Sequence, residues 1–165
     1  MHGNCRYRFI ETPLFIAENQ FDYEQLFGEL KLPIPSNKTS ASDVAKTLRY
    51  LRYYGERMRE SLAQVGRHDA NGLWAPACLD HGGDFGMNES KPEIRIDGVS
   101  LKAAMQDWYD SHGRGGRAAN VHVETCAERG LGLPCSTPKG GCKKLPFAEH
   151  LDDAVELIRA AATAR

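Results

Sequence analysis

The 165-residue chain has no apolar run approaching the roughly 18 residues of a membrane-spanning helix, so no span is expected. It has no surplus of either charge: 21 Lys and Arg against 22 Asp and Glu leave a formal net charge of −1. No global field therefore draws it to nucleic acid or to an anionic membrane. Its first residues, Met1-His2-Gly3-Asn4-Cys5-Arg6, hold no apolar core and no cleavage site, so no signal peptide is read here. Gly-x-Ser-x-Gly, the turn that presents a nucleophilic serine at the end of a strand, is absent. Gly98-Val99-Ser100-Leu101-Lys102 comes nearest, but it lacks the second glycine and Ser100 reads as a helix cap. Cys-x-x-Cys is absent too, which argues against a zinc knuckle built from Cys126, Cys135 and Cys142 with His112 or His122.

What is present is ordinary for one globular domain with a core of its own: 41% hydrophobic and 26% charged residues. The five cysteines are many for a cytosolic protein of this size, and the odd number leaves one over if disulfides form. Abundant cysteine without a leader is a conflict that a truncated chain would resolve. The irregular stretch Thr125 to Lys144 holds three of them, and disulfides in a loop-rich secreted segment fit it better than a metal site. Cys78, inside an apolar run, reads as a buried thiol.

Along the chain, Tyr7 to Ala17 reads as a strand interrupted by Pro13, and Tyr23 to Leu30 as a short helix. Pro33, Pro35, Ser36 and Asn37 mark a loop. Ser40 or Ser42 then caps a helix to about Val65, with Val44, Leu48, Leu51, Met58, Leu62 and Val65 on one face. Lys46, Arg49, Arg52, Arg57 and Arg59 occupy the other side. Asp43, Glu56 and Glu60 dilute their charge and no stacking aromatics accompany them, so this is a solvated face rather than a nucleic-acid stripe. Leu73 to Cys78 reads as the next strand. Glu93 to Ile96 ends in the turn Asp97-Gly98, and Ser100 caps a helix through Trp108. Ala119 to Glu124 is a brief strand, and Leu145-Pro146 opens a last helix.

Two stretches carry chemistry. Trp74-Ala75-Pro76-Ala77-Cys78-Leu79-Asp80-His81-Gly82-Gly83 runs from an apolar strand into a glycine-rich loop and delivers His81 at its end. Thr12 to Asp22 is a second apolar strand and delivers Asp22 at its end. Open α/β sheets place their ligands at such ends. A His acting as general base needs an acid to hold its ring and stabilise the imidazolium, and Asp22 is the candidate. Asp22 reads equally as the cap of the Tyr23 to Leu30 helix. His81 with Asp80, Asp84 and Glu89 matches no standard zinc spacing, so no metal and no cofactor is expected.

At this point a resemblance enters. Thr12-Pro13-Leu14-Phe15-Ile16 with Asn19-Gln20-Phe21-Asp22-Tyr23-Glu24-Gln25-Leu26, then Pro76 to His81, then Ile94 to Leu101 with Trp108, then Val123-Glu124-Thr125-Cys126 resemble, in order, the C-terminal third of the Notum and pectin acetylesterase family. These are carboxylic ester hydrolases of α/β-hydrolase type. The resemblance implies an α/β chain that is the C-terminal portion of a hydrolase sheet flanked by helices. Residues 1–145 would form that portion and residues 146–165 a helical tail. It implies Asp22 and His81 as the acid and base of a catalytic triad whose serine lies outside this chain, so that the chain alone is expected to be inactive. It implies an extracellular or secretory location, a missing N-terminal part as partner, and an acylated polysaccharide or acylated protein as substrate. The rival reading is a non-catalytic, disulfide-stabilised secreted binding domain.

Overall fold

The computed structural model describes residues 10–36, 38–81, 93–111, 120–125 and 134. The loop after His81, the late cysteines and the expected C-terminal helix lie outside the described residues. The elements run β1 (Phe15–Ala17), β2 (Phe21–Asp22), a π-helical stretch (Glu24–Glu29), α1 (Ala41–Val65), β3 (Gly72–Ala75), β4 (Leu79–Asp80), β5 (Arg95–Ile96), β6 (Val99–Ser100), α2 (Leu101–Asp110) and β7 (Val121–Val123).

Helices and small, mostly parallel sheets make this an α/β fold. β3 is the middle strand of a parallel trio in the order β1-β3-β7, and β2 pairs in parallel with β4. Side chains alternate across β3, as a strand dictates. Leu73 and Ala75 pack with Leu62 and Met58 of α1, whereas Trp74 packs with Leu101 and Ala104 of α2. A parallel strand covered on both faces must be apolar on both, and all four residues of β3 are buried.

The strand expected from Leu73 to Cys78 is broken in two. Pro76 has no N–H to donate to a ladder, so pairing stops at Ala75 and resumes at Leu79. The partner strand breaks at the same level, between Ala17 and Phe21. Gln20 fills the gap. It is fully buried; its Nε2 donates to the Ala75 and Glu124 carbonyls, each at 2.8 Å, and its Oε1 accepts from Arg59 Nη1 at 2.9 Å. Glu124 Oε2 in turn accepts the Ala77 N–H at 2.8 Å. Gln20 N–H to the Pro76 carbonyl at 3.0 Å and Phe21 N–H to the Cys78 carbonyl at 3.3 Å carry backbone bonding across the gap, and these side chains satisfy the groups that the ladder leaves over. Cys78 is disulfide-bonded, not a free buried thiol as its apolar setting suggested.

α1 follows its expected bounds. Ser40 caps it, accepting the Asp43 N–H, and the expected apolar face is buried apart from half-buried Met58. On the other side Lys46, Arg52 and Arg57 pair with Asp43, Glu56 and Glu60. Arg59 departs from that face and reaches in to Gln20. Gly55, one turn earlier, makes the room: a Cβ there would lie 2.5 Å from Phe21 Cζ and 3.4 Å from Arg59 Nη1. Helix propensity alone would make Gly55→Ala stabilising by about 1 kcal/mol. Overpacking against the fully buried Phe21 ring costs roughly 1–3 kcal/mol, so the sign should reverse. Urea unfolding should show Gly55→Ala less stable than wild type; a more stable variant would mean that the Phe21 ring is not held against α1.

The hairpin β5-β6 turns through Asp97 (φ 50°) and Gly98 (φ 83°), the paired positive angles of a type I′ turn. Ser100 then caps α2 by accepting the Ala103 N–H at 3.2 Å. Trp108 anchors that helix, its ring 5.5 Å from that of Phe15 and its Nε1 donating to the Ala70 carbonyl at 2.8 Å.

Candidate active site

β2 and β4 run in parallel, with Asp22 opposite Asp80 as the last residue of each strand. His81 follows directly. The register therefore places Asp22 and His81 side by side at one edge, beyond the carboxyl ends of the strands. His81 Nδ1 lies 3.0 Å from each Asp22 oxygen. The Asp22 side chain is 9% exposed and that of His81 54% exposed. Nearly all of the acid is thus inside, and half of the imidazole faces outward. A carboxylate facing Nδ1 makes Nδ1 the protonated nitrogen of the neutral ring and leaves Nε2 as the basic one.

The two roles open for Asp22 turn out to be compatible. Its Oδ1 also accepts the Gln25 N–H at 2.9 Å and so closes the first turn of the following helical stretch. That stretch is π-helical rather than α-helical: Leu30 N–H reaches back to the Gln25 carbonyl at 2.9 Å. π-helical turns are rare and gather at functional sites. Asp80 Oδ1 accepts the His81 backbone N–H at 3.0 Å.

Glu18 is a neighbour that the sequence reading passed over. It sits just past β1, half-buried, and burial raises its pKa above the ordinary 4.5; the negative charge of Asp22 raises it further, while His81 acts in the opposite direction. Burial likewise raises Glu124, against the lowering pull of the Ala77 N–H. The available signal was a polar run, Glu18-Asn19-Gln20, between two apolar pieces of strand.

A raised carboxyl pKa stabilises the fold below the unfolded value, and that contribution is lost as pH rises through the folded value. Glu18→Gln keeps the shape and removes the charge. Its melting temperature relative to wild type should be more favourable at pH 7 than at pH 4.5. An advantage that does not change with pH would show that the Glu18 charge is not held in a desolvated place.

Comparison with known proteins adds to this geometry. Residues 1–128 match the family described as Pectinacetylesterase. Over 110 residues the chain is 27% identical to the Palmitoleoyl-protein carboxylesterase NOTUM of Drosophila melanogaster. That match covers 67% of this chain but spans only 14% of the relative's length.

Proposed function

Because the chain belongs to the pectinacetylesterase family, we propose that it carries the acid and base of a serine carboxylesterase site, in the C-terminal portion of an α/β-hydrolase-type sheet. The observation that carries this reading is the buried Asp22 carboxylate, both of its oxygens 3.0 Å from Nδ1 of a half-exposed His81. Asp22 fixes the tautomer with Nδ1 protonated. His81 Nε2 takes the proton of a serine hydroxyl as that oxygen attacks the ester carbonyl, and Asp22 stabilises the imidazolium. The same proton then passes to the leaving alcohol. A water, deprotonated by the ring in turn, releases the acid and frees the serine.

The serine and the amides of the oxyanion hole belong, on this reading, to sequence outside these 165 residues. The substrate class is an acylated polysaccharide or an acylated protein. The setting is extracellular, where a disulfide at Cys78 persists.

The test is hydrolysis of a short-chain p-nitrophenyl ester. The chain alone should give none, whereas the chain joined to the nucleophile-bearing portion of a pectinacetylesterase should turn the ester over. Turnover by the isolated chain that survives phenylmethylsulfonyl fluoride would put the chemistry elsewhere.

A further inference from the structure

We propose that Tyr54 is a positioning residue for the Asp22–His81 pair and acts on it through Gln25; the proposal rests on the reading of that pair given above. Tyr54 lies in the middle of α1 and is 4% exposed. Its hydroxyl donates to Gln25 Oε1 at 2.7 Å. The Gln25 backbone N–H donates to Asp22 Oδ1 at 2.9 Å, and that same oxygen faces His81 Nδ1 at 3.0 Å. Three hydrogen bonds, linked through the Gln25 side chain and backbone, therefore join α1 to the imidazole.

Each link has a distinct task. A carboxylate accepts best near its own plane, so the direction from which Gln25 N–H arrives helps to set the plane that His81 meets. That N–H belongs to a single π-helical stretch, and Glu24, Gln25, Glu29 and Leu30 around it are exposed. Leu26 and Phe27 bury the inner side of that stretch in the core against α1 and seat its backbone, while the outer Gln25 side chain is left exposed. Tyr54 adds a polar tie from α1 to that outer side, and α1 itself packs against β2 through buried Leu48, Leu51 and Phe21. Burial, then the charges of Asp22 and Glu18, push the phenol pKa upward, so the hydroxyl keeps its proton and remains a donor to Gln25 across the neutral range.

The readout is exchange of the His81 Nδ1 proton with water, followed by NMR in the isotopically labelled chain, which requires no esterase activity. Tyr54→Phe removes the donor and Gln25→Ala the acceptor of one bond. Each should speed exchange about fivefold, the weight of one net hydrogen bond, and the double variant should add nothing further. Asp22→Asn removes the carboxylate that holds the proton and should abolish slow exchange altogether. If Asp22→Asn leaves exchange unchanged, the pair is not formed and the parent reading falls. If Asp22→Asn abolishes slow exchange while Tyr54→Phe and Gln25→Ala match wild type, the pair stands and the role of Tyr54 is overturned. Backbone amides of α1, read in the same spectra, report general loosening. Should Tyr54→Phe loosen the helix, Gln25→Ala, at an exposed position, decides the matter.

Discussion

Asp22→Asn should lower kcat of the reconstituted esterase by roughly 10⁴-fold while the fold stays intact. The size follows from the tautomer. An asparagine oxygen can keep accepting the Gln25 N–H, as Asp22 Oδ1 does at 2.9 Å. Its NH₂ group then stands where Oδ2 stood, 3.0 Å from His81 Nδ1, and sets a donor against a donor beside the shared oxygen. The ring relieves the conflict by moving its proton to Nε2, the nitrogen that accepts the serine proton in the proposed mechanism. Base catalysis is lost with almost no change of shape. His81→Ala removes the base outright and should cost at least as much. KM should move little in either variant, because neither group binds the acyl chain. A loss of tenfold or less in Asp22→Asn would mean that the 3.0 Å contacts are structural and that another group activates the nucleophile.

Gln20→Leu should be the most damaging substitution for the fold itself. Leucine fills nearly the same volume, so the cost is almost purely polar. The Glu124 carbonyl and Arg59 Nη1 each lose a partner, and the Ala75 carbonyl keeps only the Glu124 N–H. A stranded group in a buried place costs about 1–3 kcal/mol, so the sum is on the order of 3 kcal/mol or more. Total stabilities are only about 5–15 kcal/mol, and the melting temperature should fall by roughly 10 °C. Thermal melts followed by circular dichroism give the number. A fall of under about 3 °C would mean that the gap between the strand pieces is closed by something other than the Gln20 amide.

The same residue shows where a sequence stops being legible. Local signals were readable: Ser100 as a cap, Ser40 or Ser42 as the cap of α1, Asp97-Gly98 as the hairpin turn, the stripe from Val44 to Val65 as the buried face of α1. Asp22 and His81 were readable as candidates because each ends an apolar stretch. The strand break was only half readable. Pro76 announces it on one side, but on the partner strand it rests on Gln20, whose bonds reach Ala75 and Glu124, 55 and 104 residues away. No local pattern encodes such a bond. The spacing of Arg59 fits the solvated face, but the missing side chain at Gly55 lets it turn inward instead. The stretch after Asp22 was legible as helical, but the difference between bonds spanning four residues and five is set by how the turn meets α1 and the sheet, and no residue pattern marks it.

The most direct measurement for the account as a whole is covalent labelling of the nucleophile by a fluorophosphonate, which reacts only with a serine that a neighbouring base has activated. One label per reconstituted molecule is expected, little or none after His81→Ala, and none on the 165-residue chain alone. Labelling of the isolated chain, or labelling as fast in His81→Ala as in wild type, would contradict it.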